Sequence, residues 1–198
     1  MTEEASGLER VDPELWKRRH ELLYEIDLSM LYHRKRERIF DSMDRLGKAV
    51  AVVGGSAAVA KFLESGSDAG GSSGLLMTLA ALIAITSALS LVFGFSERAR
   101  RHAELAKAFG EVGTQLARAG QTRFDERDLD QCEVKIRSLE ATEPASLGAL
   151  VRICQNEIAI AQGQPDFVSR VRWRERIFAH IWDFPSPARP FPKDVGAN

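Results

Sequence analysis

Few residues in this chain have the type and spacing that chemistry requires. The four histidines, His20, His33, His102 and His180, lie far apart. His33 and Glu37 form an i, i+4 pair, but one imidazole and one carboxylate fall short of a metal-ligand set, and the ordinary reading is a helix-face contact. Asp125 with Asp128, and Glu126 with Asp130, pair carboxylates on helix faces expected to be solvated. Cys132 has only Lys135 nearby to activate it. Neither cysteine belongs to a CxxC spacing, so Cys132 and Cys154 read as small apolar residues of a reducing compartment. Gly54-Gly55 and Gly70-Gly71 lack the lysine and the strand context of a phosphate-binding loop. The expectation is a protein that is not an enzyme, with no catalytic, cofactor-binding or metal-ligating residues. A formal net charge of −1 and a pI near 6.4 leave no basic excess to attract nucleic acid.

The chain is organised instead around Leu75–Phe95, an apolar run without charge or proline inside a wider uncharged stretch from Ala69 to Ser96. A bilayer core about 30 Å thick needs roughly 20 apolar residues in a helix. In lipid the backbone must satisfy its own hydrogen bonds, which makes helix the form to expect. The alternative is the buried central helix of a soluble domain. A second, weaker apolar segment covers residues 46–63, with Lys48 and Lys61 placed to snorkel towards the two surfaces. Gly47, Ala51 and Gly55 recur every four residues on it, a spacing that permits close helix approach in lipid. The matching face on the second segment would carry Thr86, Ser90 and Gly94, flanked by Ser87. The short glycine- and serine-rich linker at 64–74 makes the two segments antiparallel neighbours. Arg34, Lys35, Arg36, Arg38, Arg45 and Lys48 precede the first segment, and Arg98, Arg100 and Arg101 follow the second. The positive-inside rule therefore puts both termini in the cytoplasm and the acidic turn outside. The opening MTEEASGLER is acidic and polar, unlike a secretory leader, so insertion rests on the internal segments.

The flanks read as helices. Asp12-Pro13-Glu14 marks a helix start, and Leu15, Leu22, Ile26, Met30 and His33 form a semi-apolar stripe at helical spacing. After the second segment one continuous helix is expected from about Leu75 to Ala119, bending near Gly110 and Gly113 and capped by Gly120. Ala99, Ala103, Ala106, Phe109, Val112 and Leu116 form its apolar side. Three further helices should follow, at about 124–141, 144–162 and 165–184. The inward faces expected are Leu129, Cys132, Ile136 and Leu139 for the first, and Leu147, Leu150, Val151, Cys154, Ile158 and Ala161 for the second. The third carries Val168, Val171, Trp173, Ile177, Phe178, Ile181 and Trp182 among four arginines. Core packing of that aromatic face is the expectation, and a basic amphipathic helix on the membrane surface is the alternative. The predicted organisation is thus all-α. It comprises a cytoplasmic N-terminal helix (1–45), a transmembrane hairpin (46–96), a cytoplasmic helical bundle (97–184) and a loose tail (185–198).

Tyr32-His33-x-x-Arg36, then Phe40-Asp41, two membrane helices around a short turn, and the run Phe95-Ser96-Glu97-Arg98-Ala99-Arg100-Arg101-His102 together resemble the SLATT family of bacterial two-span membrane proteins. The resemblance covers roughly Leu22 to Leu116. It implies a multi-pass inner-membrane effector of an anti-phage defence system, homo-oligomeric and pore-forming, that acts by abortive infection. It also implies control by a separate sensor or nucleotide-signalling partner, since the chain has no room for a fused one. Tyr32, His33, Arg36, Arg98, Arg100 and Arg101 would be the cytoplasmic anchoring motif. Thr78, Thr86, Ser87 and Ser90 would give the second span a mildly polar stripe, facing water in an oligomer or bonded to the helix's own backbone. The alternative reading is a membrane-anchored scaffold that binds a cytoplasmic partner without forming a pore.

Overall fold

The computed structural model describes residues 12–64, 73–120 and 124–180, and they form helices joined by turns, with no strand among them. The expected all-α class is what the described residues show. Helix α1 runs from Pro13 to Glu64, α2 from Ser73 to Phe93, α3 from Phe95 to Arg118, α4 from Glu126 to Glu140 and α5 from Gly148 to Ala161. A 3-10 turn at Pro165–Phe167 precedes a short α6, Trp173–Phe178. The chain divides into two compact units, one built from residues up to Arg34 and from Glu104 onward, the other from Lys35–Ala103.

Local chemistry explains most of the helix ends. Asp12 Oδ1 accepts the Glu14 N–H at 2.9 Å and starts α1. Asp125 and Asp128 form a reciprocal capping box at the head of α4. Gly120 and Gly163 take positive φ just past α3 and α5.

Several expectations are corrected. The helix expected to continue from Leu75 to Ala119 breaks at Gly94, whose φ of 55° only glycine adopts without steric penalty. Helix α3 runs unbroken through Gly110 and Gly113, where α1 comes close. A Cβ on Gly113 would lie 3.2 Å from Ile26 Cγ2, and one on Gly110 3.5 Å from Met30 Sδ. Helix α5 begins at Gly148 rather than Pro144, and Ala161, expected inward, is exposed.

The last correction concerns the final helix, which shrinks to six residues. The side chain of Asn156 on α5 donates to the Ser169 carbonyl and accepts the Ser169 N–H, both at 2.7 Å. Those two bonds replace the helical partners Ser169 would otherwise have, in a stretch where β-branched Val168 and Val171 already disfavour helix. The aromatic face is not core. Trp173 is 66% exposed, Ile177 60% and Phe178 47%. Ile181, Trp182, the tail from 185 and the linker at 65–72 lie outside the described residues.

The first unit has two apolar cores. In one, Leu22 and Ile26 of α1 meet Phe109, Val112 and Leu116 of α3 and Leu129, Cys132 and Ile136 of α4. In the other, Tyr32 packs with Ala149, Leu150 and Cys154 of α5 and with Ala179. The stripe predicted on α1, the apolar side predicted on α3 and the heptad-like spacing predicted on α4 are therefore the surfaces that pack. Arg18 adds a fork between α1 and α4, reaching Asp130 at 2.7 Å and Glu133 at 2.6 Å.

Candidate functional site

In the second unit the C-terminal half of α1 lies antiparallel against α2. Gly47 faces Thr86, whose Cγ2 would sit 3.7 Å from a Cβ at that position. Two turns on, a Cβ at Gly54 would meet the Ile83 side chain at 3.0 Å, tighter than an ordinary contact, so glycine lets α2 come close here. Of the small residues predicted to pack, Gly47 is in the contact, Ala51 is half-buried, and Gly55 has no atom near its face. Gly54, outside that predicted set, makes the tighter approach. Ser90 is half-buried and Ser87 is exposed. Gly94 serves as the hinge between α2 and α3 rather than as a packing residue. Met43, Leu46, Gly47, Leu89, Ser90 and Phe93 are among the residues lining an apolar groove of about 330 Å³ between the two helices. The predicted snorkelling of Lys61 lies outside the described side chains, whereas Lys48 is exposed and pairs with Asp44 at 2.6 Å.

Outward from this contact both helices present apolar side chains with no protein cover. Val52, Val53 and Val59 on α1 are 60–69% exposed, and Met77, Leu82, Ile85, Leu89 and Val92 on α2 are 48–77% exposed. Burying an aliphatic side chain of this size is worth about 1.5–3 kcal/mol. Left in water at half exposure or more, these side chains together forgo on the order of 10 kcal/mol, comparable to the net stability of a whole domain. Among the described residues one helix, counted from Met77 through the Gly94 turn to Arg118, is long and apolar enough to cross a membrane. None of its most apolar window is buried inside the protein. That observation argues against the buried central helix of a soluble domain.

At the end of the hairpin marked by Phe93 and Phe95, aromatic rings stack in series. Phe93 lies 5.6 Å from Phe95, Phe95 6.4 Å from Phe40, and Phe40 5.7 Å from His102. Arg36 sits over the Phe40 ring at 4.5 Å and Arg98 at 6.0 Å. Two residues of the predicted anchoring motif, Arg36 and Arg98, therefore meet on one aromatic ring in cation–π contact. Arg100 pairs with Glu97 on the exposed face of α3, and Arg101 is also exposed.

Tyr32 and His33 belong to the first unit and are buried, at 5% and 0% exposure. His33 Nε2–H donates to Glu143 Oε1 at 2.9 Å, and its ring stacks on Phe109 at 5.8 Å. The Tyr32 hydroxyl accepts the Leu147 N–H at 3.1 Å, at a helix start that has no side-chain cap of its own. These adjacent residues fasten α1 to α3 and to the α4–α5 connection. Their role here is tertiary packing, and Glu143 and Leu147, more than a hundred residues away, carried no local signal of it.

Also in the first unit, Glu25 of α1 faces Glu140, Glu133 and Arg137 of α4. Burial is the main cause that pushes the Glu25 carboxyl up to about 7 from 4.5; the hydrogen bond and charge of Glu140 add to it, and Arg137 opposes it. Burial likewise raises Tyr24 and Asp27. A folded-state carboxyl that holds its proton more tightly than the unfolded one stabilises at low pH, and that stability drains away as pH rises from about 4.5 to 7. Glu25→Gln should therefore flatten the pH dependence of the melting temperature and raise stability at pH 8. Solvent screening of this half-buried group limits the gain to roughly 1 kcal/mol. An unchanged pH profile in the variant would contradict the assignment.

Among the described residues no three His, Cys, Asp or Glu side chains converge as metal ligands, and both cysteines are buried thiols outside any disulfide. Comparison with family models, with curated proteins and with solved structures produced no match, so the geometry alone carries the reading of this chain.

Proposed function

We propose that this chain is a two-span inner-membrane protein, both termini cytoplasmic, whose hairpin consists of residues 46–63 and 75–95. On this reading it is a homo-oligomeric, pore-forming effector of the SLATT type, released by a separate sensor or nucleotide signal. The uncovered apolar surface shared by α1 and α2 is the observation that carries the membrane assignment. It calls for a non-aqueous solvent, and the Gly47–Thr86 and Gly54–Ile83 approaches are of the kind lipid-embedded helices use. Neither 46–63 nor 75–95 holds an unpaired charge at its middle, so opening by helix rearrangement fits better than a charged selectivity ring.

One observation favours the second reading, an anchored scaffold without a pore. The Thr78 and Thr86 hydroxyls donate to the carbonyls of Gly74 and Leu82 on their own helix, at 2.8 and 2.7 Å. A polar stripe spent on its own backbone has little left to offer water.

The full chain reconstituted into liposomes loaded with a self-quenching dye separates the two. A pore-former is expected to release dye more steeply than in proportion to protein density, because assembly is intermolecular. A scaffold releases none at any density. Retention of the chain in membranes after alkaline carbonate washing tests the membrane assignment separately, and its release into the wash would end both readings.

A further inference from the structure

We propose that the segment from Phe167 to Phe178 is a second membrane contact, one that binds the headgroups of an anionic bilayer surface. The inference rests on the membrane reading above. Trp173, Ile177 and Phe178 stand 47–66% exposed on α6, with Phe167 and Val168 exposed just before them. Arg170, Arg172, Arg174 and Arg176 are interleaved with these side chains, and all four are exposed. The acidic residues of the stretch are Asp166 and Glu175. Glu175 is turned inward, accepting the Arg172 N–H at 3.0 Å and facing Arg152 at 3.6 Å. The outward charge is therefore dominated by arginine.

Aromatic and aliphatic side chains in a ring of cations fit one partner best. Their apolar bodies enter the headgroup–acyl boundary while guanidinium groups pair with lipid phosphates. The Arg174 guanidinium already lies 5.4 Å from the Trp173 ring centre, an arrangement that suits the amphipathic boundary. Hydrogen bonds from Asn156 and the buried Ala179 hold the segment to α5, so the surface is preformed rather than folded on binding. Tethering by a membrane-crossing helix in the same chain supplies the high local concentration that so small a patch needs.

The test uses the full chain in lipid nanodiscs of phosphatidylcholine, alone or with about a third phosphatidylglycerol. An environment-sensitive fluorophore is attached at Ile177→Cys and, in a separate sample, at Val92→Cys. Cys132 and Cys154 are buried, so labelling of the folded protein spares them. The expected result at Ile177→Cys is blue-shifted emission, quenched by nitroxide-bearing lipid, in the anionic discs only and reversed by high salt. Each arginine near such a surface is worth about fivefold in partitioning, so Arg170→Gln with Arg174→Gln should lower the bound-to-free ratio about 25-fold. Water-like emission in both disc types would overturn the proposal. So would quenching that ignores lipid charge and salt, or a blue shift that lipid nitroxides leave unquenched, which would mean that protein covers the site. The Val92→Cys label reports the hairpin independently: quenching in both disc types supports a crossing α2, and its absence defeats the membrane reading whatever the Ile177→Cys label does.

Discussion

His33→Ala is expected to lower the unfolding free energy of the first unit by about 3 kcal/mol, read as a loss of thermal or denaturant stability of the full chain in detergent. Three terms act together. The imidazole is fully buried, so its removal opens a cavity against the Phe109 ring it stacks on. Its bond to Glu143 at 2.9 Å disappears, leaving a carboxylate whose side chain is only 19% exposed without that donor. The α4–α5 connection also loses its tie to α1, although Tyr32 still holds Leu147. His33→Gln, which keeps a donor at similar reach, should recover part of the loss, and Glu143→Gln should cost less than His33→Ala because the amide still accepts. If His33→Ala melts with the wild-type protein, this residue is not the fastening the geometry makes it.

Gly54→Leu is expected to separate α1 from α2 in the second unit. A Cβ alone would sit 3.0 Å from two side-chain carbons of Ile83, tighter than nine in ten real contacts, and a leucine adds three more carbons beyond it. Overpacking of this kind costs about 1–3 kcal/mol, and the helices have little hydrophobic driving force to resist it in lipid. Oxidative cross-linking of Gly47→Cys with Thr86→Cys reports the contact directly, and adding Gly54→Leu should abolish most of it. Gly55→Leu provides the contrast. Nothing lies within 4 Å of that face, so the cross-link should persist. If dye release is lost with Gly55→Leu while the intramolecular cross-link survives, the open face of Gly55 serves contacts between copies.

Residues 110 and 113 illustrate what propensity leaves out. Glycine in a helix lowers local propensity, which pointed to a bend, yet α3 runs unbroken through both, and Met30 and Ile26 lie against them. The bend falls at Gly94, which an apolar run conceals because hydropathy does not record φ. The site predicted on the small-residue face divides in the same way. Spacing identified Gly47, but which of Gly54 and Gly55 meets α2 depends on helix rotation, and periodicity leaves that open.

Sequence by itself determined the all-α class that the described residues show. Its periodic apolar stripes, the capping aspartate at 12, the glycine at 120 and one long uncharged run are local signals that act through the residues carrying them. Tertiary structure alone decided what lies between them. His33 and Tyr32 became fastenings because Glu143, Phe109 and Leu147 arrive from distant parts of the chain. The last helix lost most of its predicted length because Asn156 offers the Ser169 backbone partners that propensity cannot anticipate. Trp173 and Ile177 consequently face outward. Intrinsic helix preferences differ by a few tenths of a kcal/mol per residue, and a pair of well-formed tertiary hydrogen bonds outweighs them.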